Sequence, residues 1–385
     1  MALWHFMTAG ESHGPGLVGI VDGVPAGVPV TSDIVNQDLA RRQKGYGRGG
    51  RMAIEKDQVE FFGGVRHGKT MGSPVALLVK NRDFVNWQES MDPAEGKADR
   101  VITRPRPGHA DLVGGIKYQH RDLRNVLERA SARETTMRVA LGAVARSFLR
   151  ELGVEVRGHV ISIGDVRAPY QDYTLEQIVA AETSPVRTVD PSTETAMTAA
   201  IDRAKEDGDT LGGVFEIKAF GLPVGLGSYA QWNRRLEGQL AQSLLSIPAM
   251  KAVEVGTGMA QADVPGSEVH DAIWWEKAQG FTRLSNRAGG IEGGITTGMP
   301  MVVRVAMKPL STLLSPLGSY DIETKEPFLA QVERSDVTAV PAAVVVGEAM
   351  VLHVLANAIL EKFGGDSLSE IAQRIRAWDR YVREY

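Results

Sequence analysis

Two twelve-residue stretches of this chain repeat one another. Residues 63–74 read GGVRHGKTMGSP and residues 289–300 read GGIEGGITTGMP. Both satisfy GG-[V/I]-x-x-G-x-T-x-G-x-P, and both lead into an apolar strand that ends in lysine, Lys80 or Lys308. Ahead of each, a strand runs into a matching turn, GVPAG at 23–27 and GLPVG at 221–225. A helix follows in both places, Ser32–Gln43 and Arg235–Ile247. Self-similarity in a fixed element order marks a duplicated unit that buries its apolar face against its copy. The expectation is two strand–helix–strand pseudo-repeats, approximately 15–82 and 212–310, packed face to face with pseudo-twofold symmetry in one domain spanning 1–385. Ligands often sit where such units meet.

Helices and strands are mixed throughout, with no Ser/Pro/Gly linker and no low-complexity segment, so the fold class expected is α+β. Ser131 and Glu134 have capping-box spacing; Met137, Leu141, Val144, Phe148 and Leu152 recur at helical intervals, and Gly153 ends the run. Thr195–Asp207 reads as a helix closed by Gly208. Pro341 opens a long helix through Phe363, and Ser367 with Glu370 opens a last one. Strands are expected at Leu17–Asp22, Pro74–Lys80, Val154–Ile163, Val214–Phe220, Met250–Thr257 and Pro300–Lys308. The longest apolar run, Ala339–Leu352, is interrupted by Glu348, and Glu11 and His13 come too early for a secretory leader. A cytoplasmic protein without a membrane span is therefore expected.

The formal net charge of −4 argues against a general nucleic-acid or membrane binder. The chain has no cysteine, which excludes disulfides, a thiol nucleophile and Cys-ligated metal, and no tight His/Asp/Glu metal pattern stands out. The arginines nevertheless cluster. Arg104 and Arg106 lie in RPRPGHADLVGG, where Pro105 and Pro107 stiffen the backbone; Arg129, Arg133 and Arg138 follow within one helix length; Arg41, Arg42, Arg48 and Arg51 crowd a helix end and the loop after it. Guanidinium forks bind carboxylate or phosphate two bonds at a time. The helix start near Ser131 adds free N–H groups that attract phosphate. His109 among these arginines, and His13 between the glycines of GESHG, can exchange protons near neutral pH. Ser12 and His13 are adjacent and lie in no G-x-S-x-G elbow, which speaks against a serine hydrolase. Asp336 is either a helix cap or an acid–base group beside Arg334. A multiply charged anion is desolvated only with such partners, and they also stabilise a departing phosphate. Without a GxxxxGK[ST] loop, phosphate elimination or transfer fits better than an ATP-dependent kinase.

GESHG, RRQKGYGRGGR, GVRHGKTMGSP, RPRPGHADLVGG, ERASARETTMRVA, DGDTLGG, GLPVGLGS, NRAGGIEGG, MKPLST and ERSDVTAVPAA stand in this order over almost the whole chain. Together they resemble the chorismate synthase family. The resemblance implies a carbon–oxygen lyase of the shikimate pathway. It would convert 5-enolpyruvylshikimate 3-phosphate to chorismate and phosphate by anti 1,4-elimination, requiring reduced FMN without net redox change. It further implies a homotetramer and a β-α-β sandwich with internal duplication. Carried over by motif, His13 would protonate the leaving phosphate and His109 would act at the flavin N1/O2 edge. Asp336, with Ser12, would manage the flavin N5 proton so that the flavin takes the substrate's C6 hydrogen. Arg42, Arg48, Arg106, Arg133 and Arg334 would hold the small anionic substrate. Arg129, Ala130, Ser131, Pro248, Ala249, Gly293, Lys308, Pro309, Leu310, Ser311, Thr312 and Arg334 would contact FMN. NADPH, bound in this reading at Arg42 and Arg48, or a separate flavin reductase would supply the electrons. Ala130, Pro248 and Thr297 depart from the serine, polar residue and asparagine usual in the family. Two rival readings use the same residues: an NADPH-dependent flavin oxidoreductase, and an Arg-Gly-Gly RNA binder.

Overall fold

The computed structural model describes residues 3–49, 56–95, 100–277, 280–330 and 336–385. The first sheet is built from β1 (His5–Ala9), β2 (Gly16–Asp22), β3 (Val59–Gly63) and, after a small hairpin of β4 (Val65–Arg66) and β5 (Lys69–Thr70), β6 (Val75–Lys80). Its order is β1-β2-β6-β3, with every pair antiparallel. Helix α1 (Ser32–Gln43) lies between β2 and β3 in the chain and opens on Thr31, whose hydroxyl accepts from Ile34 N. Two short helices, α2 (Asp111–Tyr118) and α3 (Arg124–Ala130), precede the long α4 (Thr135–Arg150).

The second sheet contains β7 (Glu155–Ile163), β8 (Val166–Arg167), β9 (Gly213–Phe220), β10 (Met250–Val255) and β15 (Met301–Met307), in the order β8-β7-β9-β15-β10 and again antiparallel. Between them run α5 (Pro191–Glu206), α6 (Leu236–Leu245), the hairpin β11 (Ile273–Glu276) and β12 (Gly280–Arg283), and the hairpin β13 (Ile291–Glu292) and β14 (Ile295–Thr296). The chain ends with α7 (Val340–Phe363) and α8 (Leu368–Glu384).

The two repeated stretches fold alike down to single bonds. Thr70 Oγ1 donates to Pro25 O at 2.5 Å and accepts from Val28 N at 2.9 Å. Thr296 Oγ1 donates to Pro223 O at 2.6 Å and accepts from Leu226 N at 2.8 Å. The threonine shared by both stretches is thus the residue that pins the preceding Gly-x-Pro-x-Gly turn. Strand order corresponds too: β1, β2, β6 and β3 neighbour one another as β7, β9, β15 and β10 do. The correspondence begins one strand before the boundaries expected from sequence.

Helices α4 and α7 pack against each other; α4 also packs on β2, and α7 on β7 and β9. The crossing is close because Gly142 faces Ala349: a Cβ at 142 would sit 2.5 Å from the Ala349 Cβ. Helix α7 is apolar all round, the pattern of a helix enclosed on every side. It is long and apolar enough to cross a membrane, and 89% of its most apolar window is buried inside this chain. Glu348, which interrupts its apolar run, is fully buried and accepts from Arg41 Nη1 at 2.8 Å, Arg146 Nη2 at 2.7 Å and Gly158 N at 2.8 Å. Burial pushes its carboxyl up, but the charges of Arg41 and Arg146 prevail and hold it down to about 2.

Two local expectations need correction. Ser131 caps a single 3-10 turn, Ala132–Glu134, and α4 starts at Thr135. The Glu134 carboxylate closes no capping box; it bonds Thr8 Oγ1 at 2.7 Å and Arg138 Nε at 2.9 Å. The helix expected from Thr195 starts at Pro191, where Asp190 caps it and proline fills the first turn.

Candidate active site

Arg42, at the end of α1, is buried. Its Nε and Nη2 donate to Thr135 Oγ1 at 3.1 and 2.9 Å, and Nη2 also donates to Ala132 O at 2.8 Å. Nη1 is buried with no hydrogen-bond partner among the described residues. Arg133 sits beside it, bound through Nη1 to Asp57 at 2.6 Å and through Nε to Asn81 at 2.9 Å. Arg48 pairs with Asp336 at 2.9 Å, and Gly49 N donates to the other Asp336 oxygen at 2.6 Å. Burial pushes the Arg42 guanidinium down to about 9; the positive charges of Arg48 and Arg133 add to that, while Asp57 and Asp336 oppose it. Among the described residues, three guanidinium groups thus gather around two carboxylates in a buried cluster. Such a gathering of guanidinium donors suits a multiply charged anion.

Asn81 joins this cluster to the GESHG loop: its Nδ2 donates to Glu11 O at 3.0 Å and Gly14 O at 2.8 Å. In that loop Ser12 Oγ donates to Ser131 Oγ at 3.1 Å. His13 is nearly buried, its Nδ1 lies 2.8 Å from Glu128 Oε1, and its ring stacks on Trp87 at 3.9 Å between centroids. With Nδ1 engaged, Nε2 is the nitrogen left for proton transfer.

A second cluster forms around RPRPGHAD. Arg106 spends its donors internally: Nε on Asp111 Oδ2 at 2.8 Å, Nη1 on Thr312 Oγ1 at 3.0 Å, and Nη2 on Asp111 Oδ1 at 3.2 Å. His109 Nδ1 lies 2.6 Å from Asp111 Oδ1. Burial raises the Asp111 carboxyl, but the bonds from His109 and Arg106 outweigh it and hold it well below the carboxylate range. Lys308 Nζ donates to Gly108 O at 2.5 Å. Arg106 therefore braces this loop, whereas Arg104 is half-exposed and stacks over Phe328 at 3.6 Å.

The residues expected to contact the cofactor are only partly gathered. Arg129 lies half-exposed with Nη1 on Gly10 O at 2.9 Å and Nη2 on Thr8 O at 3.0 Å, next to Ala130 and Ser131. From Thr8 a line of bonds runs through Glu134 and Arg138 to Ser246 O, which Arg138 Nη1 reaches at 3.2 Å. Pro248 and Ala249 come next in the chain, and Ala249 O accepts from Lys308 N at 3.0 Å. The segment from Lys308 through Pro309, Leu310 and Ser311 to Thr312 is braced by Thr210, whose hydroxyl donates to Leu310 O at 2.7 Å. Gly293 lies elsewhere. Its hairpin bonds the start of α6 through Leu236 N→Gly294 O at 3.1 Å, whereas Ala249 lies past that helix's end. Ten helical residues span about 15 Å. Arg334 and Arg51 lie outside the described residues. Thr297, a departure from the family pattern, stays inside its hairpin, with its N donating to Gly290 O at 3.0 Å.

Arg41 proves structural. It is neither a solvated charge nor an anion ligand, being enclosed by Glu348, Asp38 and Glu182. Sequence reasoning passed over Asp57, Asn81, Trp87, Asp111 and Glu128 as partners of the site. Two of these, Asp111 and Glu128, stand inside the quoted motifs, RPRPGHAD and ERASARET, where arginine drew the attention.

Comparison with known proteins identifies the family. A model of the family described as chorismate synthase matches residues 4–360. The chorismate synthase of Moorella thermoacetica (strain ATCC 39073 / JCM 9320) is 58% identical over 380 residues, covering 98% of this chain and 99% of that protein. That of Geobacillus kaustophilus (strain HTA426) is 56% identical over 386 residues, covering 99% of this chain and all of its own. A crystal structure of chorismate synthase superposes with a TM-score of 0.82 at 43% identity, covering 99% of both chains. The chain is an enzyme, a lyase, and belongs to the chorismate synthase family.

Proposed function

We propose that the arginine pocket binds 5-enolpyruvylshikimate 3-phosphate and that its anti 1,4-elimination proceeds here with reduced FMN bound beside it. The observation that carries this reading is the buried Arg42 Nη1, unpartnered among the described residues, with Arg48 and Arg133 close enough to act on the same guanidinium. Phosphate carries about −1.5 to −2 charge near neutral pH and offers three acceptor oxygens. The residues present suit a flavin phosphate and dione as well. Arg129, Ser131, Ala249, Lys308 and Thr312 offer cations and N–H or O–H donors along the line of bonds from Thr8 to Gly108. When bound, reduced FMN lends electron density to the allylic system as the C–O bond breaks.

The chain's own residues do the rest. Arg42, Arg48 and Arg133, with Arg334, hold the carboxylates and phosphate. His13 gives the Nε2 proton to the leaving phosphate. His109 is oriented by Asp111, and Ser12 and Asp336 hold a proton on their side-chain oxygens near the reacting centre. Arg106 keeps the His109 loop in place. The fold reads as a β-α-β sandwich of two duplicated units in one domain, and the enzyme as a cytoplasmic homotetramer. NADPH or a separate reductase supplies the reduced flavin.

The test is an oxygen-free incubation with dithionite-reduced FMN and the enolpyruvyl ester, following phosphate and chorismate together. Equimolar release of both is expected, with no reductant consumed per turnover. Stoichiometric NADPH oxidation, or no phosphate, would overturn the reading.

A further inference from the structure

Glu128 has no part in the roles given above, yet its carboxylate is held against the GESHG loop. It projects from α3, nearly the whole residue is buried, and both oxygens are turned on one neighbour. Oε2 accepts from His13 N at 2.8 Å, and Oε1 lies 2.8 Å from His13 Nδ1. The backbone adds to this hold, since Ser12 N donates to Glu128 O at 3.0 Å. Other described groups lie around the pair. Arg124, one turn earlier on α3, places Nη1 3.5 Å from Oε1. Trp87 stacks on the imidazole, and Arg100 lies 3.8 Å from the centroid of that tryptophan ring. Glu11 and Asn81 come from the opposite side of the loop, the latter through main-chain carbonyls.

We infer that Glu128 is the positioning residue of His13: it fixes the hydrogen on Nδ1 and aims Nε2 at the substrate. This rests on the reading of His13 as the acid for the leaving phosphate. Three physical points support it. A carboxylate bonded to one imidazole nitrogen fixes which nitrogen carries the exchangeable proton. An ionised carboxylate only accepts, so the Nδ1 facing it at 2.8 Å must carry the hydrogen. Glu128 is ionised: burial pushes its carboxyl up, but the His13 bonds and the Arg124 charge outweigh that and leave it below the ordinary range. The stacked Trp87 blocks one ring face, so the ring has little freedom to turn away from this orientation.

Glu128→Gln keeps the shape and one acceptor but removes the charge. In holoenzyme with reduced FMN, kcat falls about tenfold or more while KM stays within about threefold, because the ring loses its fixed hydrogen and its aim but no substrate contact. NMR on 15N-histidine-labelled protein, with the His13 signals identified by their loss in His13→Gln, shows the hydrogen of the neutral ring on Nδ1 in wild type and shared between both nitrogens in Glu128→Gln. Glu128→Asp keeps the acceptor and shortens the reach, so the hydrogen stays on Nδ1 while kcat falls. If Glu128→Gln fails to fold, the wild-type spectrum still decides, since a neutral ring with its hydrogen on Nε2 overturns the inference. A Glu128→Gln enzyme with wild-type kcat and an unchanged tautomer overturns the inference while leaving His13 as the acid. Near-normal turnover in His13→Ala instead removes the underlying assignment and the inference with it.

Discussion

After α1 the chain takes residues 44–58 to reach β3, whereas after α6 it needs only 246–249 to reach β10. The helices, the strands they join and the pinned turns before them correspond in the two halves; this connection does not. In the first half it carries Arg48 and Asp57 into the arginine pocket. In the second it is a tight turn through Pro248 and Ala249, the latter at φ +71°, that hands its carbonyl to Lys308. On the proposed reading of the arginine cluster, the chemistry lies in the connections. Matching elements fix the ends of α1 and α6, and the structural difference lies in the segment that leaves each end. Long connections on a rigid scaffold commonly carry binding residues.

The largest effect tests the seam where the halves meet. His353 on α7 is buried against the first half: Trp4 Nε1 donates to its Nδ1 at 3.0 Å, and its ring stacks on Phe6 at 4.1 Å. Burial pushes the ring down to about 4, the Arg138 charge helps, and the bond to Arg138 O opposes it. The unfolded chain therefore binds a proton below about pH 6.5 that the folded chain refuses until about 4. Stability is lost as pH falls through this window, by about 3 kcal/mol for this group. Urea unfolding of wild type and His353→Gln at pH 7 and pH 4.5 measures it. The variant should show the shallower loss, and equal slopes would mean that the seam does not depend on a neutral His353.

Next comes the contrast in the connections. Arg48→Ala removes a charged group from the pocket and should lower kcat/KM about 10- to 100-fold, the scale of one or two charge-assisted hydrogen bonds. Its effect on substrate affinity should exceed that on flavin affinity. Ser246→Ala, at the corresponding end of α6, should stay within about threefold, since it loses two exposed bonds, one from Arg138 Nη1 and one to Ser243 O. Similar losses in both variants would erase the distinction drawn between the halves. Smaller still, Thr70→Val and Thr296→Val should each destabilise by about 1–2 kcal/mol, because each strands a buried carbonyl and a buried N–H. Chemical denaturation that finds one costly and the other neutral would show that the matching bonds do not have matching weight.

Much of this was legible in the sequence, for reasons that differ by residue. The repeated threonine was visible because its turn demands glycine and proline at fixed offsets. Helix α7 was visible because an enclosed helix needs apolar residues on every side. Arg42, Arg133 and His13 stood out because their motifs have no structural excuse for so many charges. Arg41 misled for the same reason: nothing local says that its partners are Glu182 and Glu348, which lie 141 and 307 residues away. Asp57 and Asn81 escaped because an acid or amide facing an arginine across the fold has no spacing to betray it. Glu134 shows a further limit, since capping-box spacing was right and the side chain went instead to Thr8 and Arg138.

The smallest prediction bears on the one position where the two hairpins differ in backbone chemistry. His67 and Gly293 occupy equivalent places, and both lie in the left-handed region, at φ +50° and +58°. An L side chain is strained there by roughly 1 kcal/mol relative to glycine. A Cβ at Gly293 meets nothing within 4 Å, so Gly293→His carries that backbone cost without a clash at its Cβ. His67→Gly should accordingly stabilise, and Gly293→His destabilise, each by about 1 kcal/mol. For a chain of this length that is a shift of only about 1 °C in Tm, in opposite directions. The pair then separates scaffold from site. If Gly293 touches FMN, Gly293→His weakens reduced-flavin binding by more than its small loss of stability explains, while His67→Gly leaves flavin binding alone. If flavin affinity is the same in both variants, Gly293 is a turn residue like its counterpart, and the cofactor site is confined to the line from Arg129 to Thr312.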